Sequence, residues 1–452
     1  MFEVEIEKYK NDEINLLKEL IKYKSVSIES SEEDAPFGEE CKKVLEYVLN
    51  IADGMGFKTK NLDGYCGYVE FGEGEELLGI IGHLDVVPAK VEDGWNTNPF
   101  EPIEENGRIY GRGAIDDKGP VVASLYAMKM VAETCKVNKR VRLILGLNEE
   151  KDWKCIAHYK LNEEHPTLGF SPDADFPCIY AEKGIFTAYI KDYLNLGEDI
   201  KIVSASCDNN AINVVPKYAE ITIEYYSNEA KEKLLNLQEI TTTILDDKTL
   251  KLESFGKSAH AAYPDQGENA ITKLLLNLPE NDFSRILNEN GFFEIMSPKY
   301  LGGEDTIDES GVLTSNIAQI EVRDGKINLG INFRVPVNTS FDFVKNNMEK
   351  LKLYMPTLEI YLNNVNPKLY VPKDSYLVKT LTTIFNEETG MNAEPIATGG
   401  GTYARAFKSC VAFGAIMPGE EETYHQANEY INIDNMIKAT KIYARAIYEL
   451  SK

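Results

Sequence analysis

Three strand-sized apolar runs set the architecture: Gly67–Phe71, Leu77–Gly82 and Val141–Leu147. Runs of this kind read as buried strands, covered on both faces. Amphipathic segments lie around and between them. Residues 12–22 place Ile14, Leu17, Leu20 and Ile21 at helical spacing, with Asn11 or Asp12 as the expected cap. A second helix is expected over 39–52, with Cys41, Val44, Leu45, Val48 and Leu49 on one face and Gly54 and Gly56 as its stop. Pro120–Ala132 is a third, with Pro120 near its first turn. Strands alternating with helices imply an α/β fold around a largely parallel sheet, whose ligand sites lie at the carboxyl ends of the strands.

The texture changes after Lys183. Alternating segments follow, including Ala219–Tyr226, Ser315–Val322 and Lys326–Val335, and Asp324-Gly325 between the last two is a strong hairpin signal. Helical stretches at Asn269–Leu278 and Phe341–Leu353 accompany them. From Ser375 the helix and strand alternation resumes, with helices near Leu377–Glu387 and Met436–Leu450. The expected organisation is a discontinuous first domain, 1–184 and 373–452, interrupted by an α+β domain over 185–372.

Charge narrows the function classes. The 452 residues carry 48 Lys+Arg against 73 Asp+Glu, a net charge of −25. With no basic stripe, nucleic acid and anionic membrane are poor partners. No apolar stretch approaches the roughly 20 residues of a membrane span. Met1-Phe-Glu-Val-Glu-Ile-Glu7 lacks the basic-then-apolar pattern of a signal peptide. Seven scattered cysteines without a C-x-x-C pair read as reduced thiols, which points to the cytoplasm.

Five acidic or histidine-bearing clusters concentrate the chemistry. His83 ends an apolar strand in Ile80-Ile-Gly-His-Leu-Asp85, and in an extended segment His83 and Asp85 share a side. His83 is either a metal ligand buttressed by Asp85 or a hydrogen-bonded strand-end histidine. Gly111-Arg-Gly-Ala-Ile-Asp116-Asp117 delivers two adjacent carboxylates before a helix, and an N-cap accounts for one of them. Asn148-Glu149-Glu150 follows a buried strand, Ser171-Pro-Asp173-Ala-Asp175 is a further acidic loop, and Glu422-Thr-Tyr-His425 lies near the C-terminus. Two histidines with several carboxylates suit Zn²⁺, Mn²⁺ or Co²⁺ and lack the thiolates of a structural zinc site. A shared carboxylate is how two such ions are held roughly 3.5–4 Å apart. The pattern suggests metal-assisted hydrolysis.

In order along the chain, H-L-D-V-V-P, G-R-G-A-I-D-D-K-G, N-E-E, S-P-D-A-D-F-P and H-Q-A-N-E resemble the aminoacylase/carboxypeptidase-type family of dinuclear metallopeptidases. The likeness is greatest to its bacterial dipeptidase V branch of carnosinase-like Xaa-His dipeptidases. The resemblance implies a zinc-peptidase-like catalytic domain interrupted by a lid, and two divalent cations per chain. By motif, His83 and Asp173 would hold one ion, Glu150 and His425 the other, and Asp116 would bridge them. Asp85 would support His83, and Glu149 would be the base that activates the bridging water, with Asp117 structural. In the lid, His260 would stabilise the oxyanion, Asn213 would bind substrate, and Arg334 would grip its carboxylate. Gly399, Gly400 and Gly401 would let backbone N–H groups approach that carboxylate. His158 and His165 match no motif and are read as structural.

The activity so implied is metal-dependent hydrolysis of dipeptides. The alternatives are an N-acyl-amino-acid or N-succinyl-diamine deacylase and, less favoured, a non-catalytic metal- or peptide-binding homologue. The large lid implies a monomer, with a dimer as the alternative. Two departures stand out: Ala-Ala-Tyr-Pro follows His260, and Asn428 stands where many relatives carry Asp.

Overall fold

The computed structural model describes residues 1–208, 211–279, 281, 283, 307–353 and 355–452. It divides into two compact units, Met1–Ala181 with Leu369–Ile396 and Thr402–Lys452, and Glu182–Lys368 with Ala397–Gly401.

The first unit is built on a mixed sheet. Its strands run in the order Lys58–Leu62, Cys66–Phe71, Arg140–Gly146, Leu77–His83, Leu168–Ser171, Cys410–Ala412, Ile179–Glu182, Leu369–Tyr370. The four strands Arg140–Gly146, Leu77–His83, Leu168–Ser171 and Cys410–Ala412 are mutually parallel, and antiparallel partners flank them. Leu77–His83 is buried at every residue, as its unbroken apolar run requires. Gly79 and Gly169 sit where a side chain would not fit: a Cβ on Gly169 would come within 2.3 Å of the Gly79 carbonyl oxygen. Helices Glu3–Ile21, Glu39–Gly54, Lys118–Thr134, Tyr376–Thr389 and Ile433–Ser451 supply the rest of the core.

The first helix begins at Glu3, not beside Asn11 or Asp12. Ile6 and Tyr9 are buried on the face that carries Glu13, Ile14 and Leu17, so the buried stripe reaches two turns further back than its apolar residues suggest. Asn11 and Asp12 are exposed inside the helix and cap nothing.

The second unit holds two four-stranded antiparallel sheets, Thr314–Arg323, Lys326–Val335, Gly184–Asp192, Glu359–Asn366 and Ile200–Cys207, Tyr218–Tyr225, Thr249–Phe255, Thr241–Ile244. The hairpin turn is made by Asp324 at φ 54° and Gly325 at φ 75°, closing the Arg323 to Lys326 pair. Helices Asn228–Leu235, Ala270–Asn277 and Phe341–Glu349 accompany these sheets, and Ala270–Asn277 packs Ile271, Leu274 and Leu275 into the unit's core. Residues Ala397–Gly401 cluster here, although the expected boundary left them in the first domain. Thr398 accepts the backbone N–H of Lys183 at 3.0 Å, and Gly399 accepts from Arg334.

Candidate metal centre

Three adjacent parallel strands deliver three acidic or histidine-bearing segments to one rim. Leu77–His83 ends in His83, Arg140–Gly146 leads to Glu149 and Glu150, and Leu168–Ser171 leads to Asp173. This is the carboxyl edge at which ligands collect in such sheets. Asp116 arrives from the turn before helix Lys118–Thr134, where Gly113 takes φ +85°. His425 arrives from the loop before strand Tyr430–Asn432, itself at φ 60°, a conformation a non-glycine residue adopts at a cost.

These side chains converge into two overlapping groups. His83, Asp116 and Asp173 form one, and Asp116, Glu150 and His425 the other, with the ligand atoms of each within 4.8 Å of one another. His83 Nε2 lies 3.0 Å from Asp116 Oδ1 and 3.6 Å from Asp173 Oδ2. His425 Nε2 lies 3.0 Å from Asp116 Oδ2 and 3.0 Å from Glu150 Oε1. Donors about 2.1 Å from one shared cation stand roughly 3–3.5 Å apart in a tetrahedral shell, so both groups have the spacing and the N/O chemistry for a divalent ion. Asp116 offers one oxygen to each.

Asp85 works through both of its ends. His83 Nδ1 meets the Asp85 backbone carbonyl at 2.9 Å and the carboxylate at 3.4 Å. The carboxylate accepts the backbone N–H groups of Glu149 at 3.0 Å and Glu150 at 3.2 Å. One buried carboxylate thus fixes the ring of one candidate ligand and the loop carrying another. Asp117 is buried and accepts the His83 backbone N–H at 3.0 Å, a structural contact that leaves Gly82 no space for a side chain.

The electrostatics describe a site that wants positive charge. Burial pushes the Glu149 carboxyl well above the usual range, and although His83 pulls it back, Asp173, Glu150 and Asp85 add to the rise. Burial and Asp116 raise Asp173 to about 6 and Glu150 to about 7. Burial opposes charge on His425, yet Asp116 and Glu150 lift its imidazole to about 11. His83 is likewise lifted well above 6.5, by Asp116, Asp173 and Asp85 against the cost of burial. Burial also works against the Asp116 anion, but the two imidazoles overcome it and hold that carboxyl far below its ordinary value.

A sequence model of peptidase family M20/M25/M40 matches residues 79–449. The chain belongs to this family. The Bacillus subtilis (strain 168) protein named "Putative dipeptidase YtjP" is 38% identical over 471 residues, covering 100% of both chains. The fold is shared with human carnosine dipeptidase 1, at 16% identity and a TM-score of 0.63 over 99% of this chain and 97% of that one. It is also shared with an M20 family metallo-carboxypeptidase from Sulfolobus solfataricus, at 20% identity and a TM-score of 0.60 over 97% and 98%. The chain is therefore a peptidase with the mixed α/β architecture of M20 enzymes.

The remaining expected residues of this peptidase lie in the second unit and come together there. The Asn213–Val215 and Ala259–Ala261 segments are hydrogen-bonded: Val215 N–H donates to Ala259 at 2.8 Å, and Ala261 N–H to Asn213 at 2.8 Å. His260, exposed, accepts the Ala262 N–H on Nδ1 at 3.3 Å. Arg334 is buried, donating to Asn332 Oδ1 at 2.8 Å and to the Gly399 carbonyl at 2.8 Å. A Cβ on Gly399 would press on Ala262 at 2.8 Å, so the glycine permits that approach. Gly400 N–H donates to Thr398 Oγ1 at 3.1 Å, and Gly401 follows it at the surface. Asn210, which opens the Asn213 motif, lies outside the described residues. His158 pairs with Asp63 at 3.0 Å and stacks on Tyr65, while His165 meets the Lys160 carbonyl at 3.0 Å, both away from the cluster.

Several supporting residues carried no sequence signal. Tyr403 is buried, sets its ring against the edge of His83 and of Trp153, and shares a 2.7 Å contact with Cys155 Sγ. Gly146 makes room for it, since a Cβ there would meet the ring at 2.5 Å. Trp153 Nε1 donates to the Glu149 carbonyl at 2.8 Å. Only the glycine at a strand end hinted at this packing.

Proposed function

We propose that this peptidase is a dipeptidase that holds two divalent cations, one by His83, Asp116 and Asp173 and one by Asp116, Glu150 and His425. The observation that carries the proposal is the overlap of the two ligand groups on Asp116, with the Glu149 carboxyl interacting electrostatically with His83, Asp173 and Glu150 of those groups. The full-length relative named a dipeptidase supports the substrate class. When bound, the cations supply Lewis-acid polarisation of the amide and acidify water. Glu149 takes the proton of the attacking water on its carboxylate and returns it to the leaving amine nitrogen. Asp85 keeps Glu149 in place through that residue's backbone N–H and, by meeting Nδ1 of His83, leaves Nε2 facing Asp116 and Asp173, where it would hold a cation.

The second unit would act as the lid. His260 donates to the developing oxyanion, Arg334 and the backbone of Gly399–Gly401 receive the substrate's terminal carboxylate, and Asn213 orients the bound peptide. The N/O donor set suits Zn²⁺ or Mn²⁺, with Co²⁺ an acceptable substitute. The large second unit favours a monomer, and seven free cysteines favour the cytoplasm as the place of action.

The test is a substrate panel on chelator-stripped protein restored with Mn²⁺, Zn²⁺ or Co²⁺. Dipeptides should be cleaved, with tripeptides and N-acetyl amino acids poor substrates. A preference for acetylated amino acids would replace the dipeptidase with the deacylase.

A further inference from the structure

Arg112 and Glu429 form an ion pair that has no part in the cation ligation or proton transfer proposed above. They are 3% and 0% exposed, and Arg112 Nη1 donates to Glu429 Oε2 across 2.6 Å. The other carboxylate oxygen, Oε1, accepts the backbone N–H groups of Ile115 at 3.0 Å and Asp116 at 3.3 Å. The Glu429 backbone carbonyl accepts the Gly111 N–H at 3.0 Å. One residue therefore holds both ends of the 111–116 turn, whose last member is the ligand shared by both groups.

Glu429 also stands four residues after His425. Between them Asn428, at φ 61°, accepts the Asn96 N–H on Oδ1 at 2.8 Å and donates from Nδ2 to the Gly94 carbonyl at 3.3 Å. Arg112 reaches the same 94–99 segment: its N–H donates to Pro99 at 2.8 Å and its guanidinium lies 5.2 Å from the Trp95 ring centroid. Beyond Glu429, Tyr430 and Ile431 pair with Tyr110 and Ile109. The turn bearing Asp116 and the loop bearing His425 are thus tied at a single buried knot.

A buried ion pair is weak evidence for stability, because apolar replacements of similar size are often as good. Its better-attested use is to fix a register. We propose that Arg112 and Glu429 are positioning residues that set Asp116 against His425 and thereby the affinity for the cation held by Asp116, Glu150 and His425. The inference rests on the two-cation function proposed above. Residues that orient metal ligands from behind typically contribute about tenfold to a hundredfold in affinity.

The test is calorimetric titration of Mn²⁺ into the metal-stripped full chain, for wild type, Glu429→Gln, Arg112→Met and Arg112→Lys, with the melting temperature of each recorded in chelator. In Glu429→Gln and Arg112→Met at least one of the two Mn²⁺ binding steps should weaken about tenfold or more. Arg112→Lys, which keeps the charge, should recover part of that loss. Dipeptide turnover should return in excess Mn²⁺ with KM unchanged, a pattern that general loosening of the fold would not give. Unchanged affinity for both cations in all three variants would overturn the inference and leave the proposed function standing. Loss of the folded state in all three, with Mn²⁺ present, would assign the pair to the framework and overturn it equally. Failure of the wild type to bind Mn²⁺ would overturn the function itself.

Discussion

Glu149 and its neighbours illustrate what single residues contribute. The Glu149 carboxyl is pushed up first by burial and then by Asp173, Glu150 and Asp85, against the pull of His83, an environment that favours holding a proton between two steps. Glu149→Gln keeps the shape and removes the base. It should lower kcat by about 10²–10⁴-fold with both cations still bound, as steady-state rates and metal analysis on the same sample would register. The imidazoles make a second prediction. Against the cost of burial, neighbouring carboxylates lift His425 to about 11 and His83 well above 6.5, while burial and Asp116 push Glu150 up to about 7 and Asp173 to about 6. Cations bind neutral imidazole and ionised carboxylate, so binding must release protons and tighten as pH rises. Titrations between pH 5.5 and 8, in buffers of different ionisation heat, should show about one proton or more released per cation. A pH-independent affinity would be incompatible with those ligands. Asp85 shows where legibility stopped at this scale. Its spacing to His83 in an extended strand was visible in the sequence, but its acceptance of the Glu149 and Glu150 N–H groups was not, because those partners lie more than sixty positions away.

At the scale of elements, apolar periodicity located strands and helices well and their ends less well. Leu77–Gly82 and Val141–Leu147 were legible because burial on both faces demands unbroken apolar runs; the first observed strand runs one residue longer, to His83, and the second, Arg140–Gly146, lies one residue earlier at both ends. The first helix starts at Glu3, where Ile6 and Tyr9 extend a buried stripe that also includes an acid. Glu13 is 1% exposed, and its Oε1 accepts from Thr440 Oγ1 of helix Ile433–Ser451 at 2.5 Å. Burial raises its pKa from 4.5 to about 8, with the Thr440 contact pulling the other way. The folded state therefore holds a proton that the unfolded chain releases near 4.5, so this pair's contribution is complete below that pH and is lost as pH rises to about 8. Glu13→Gln should raise the melting temperature at pH 8 more than at pH 5 and flatten its decline between them, as thermal scans at fixed metal concentration would detect. An equal shift at both pH values would mean that Glu13 is ionised in the folded protein.

For the whole molecule, the legible part was the order of chemistry along the chain. Five motifs in sequence pointed to one family, and the family match over 79–449 agrees. The sheet explains why residues as far apart as His83 and Asp173 meet: parallel neighbours deliver their carboxyl ends to one rim. What composition could not reveal was the scaffolding behind that rim, where Asp85, Asp117, Tyr403 and the Arg112–Glu429 pair act through contacts between distant segments. Asp116 stands at the centre of the arrangement, since each of its oxygens faces a different histidine. The decisive measurement is therefore the number of Mn²⁺ ions bound by metal-stripped protein and by its Asp116→Ala variant, counted by titration and elemental analysis. Two shared-ligand sites predict two ions in the wild type and weakened binding of both in the variant. A single ion in the wild type, or a variant that loses one and keeps the other at full affinity, would contradict a bridging role for Asp116 and with it the dinuclear centre.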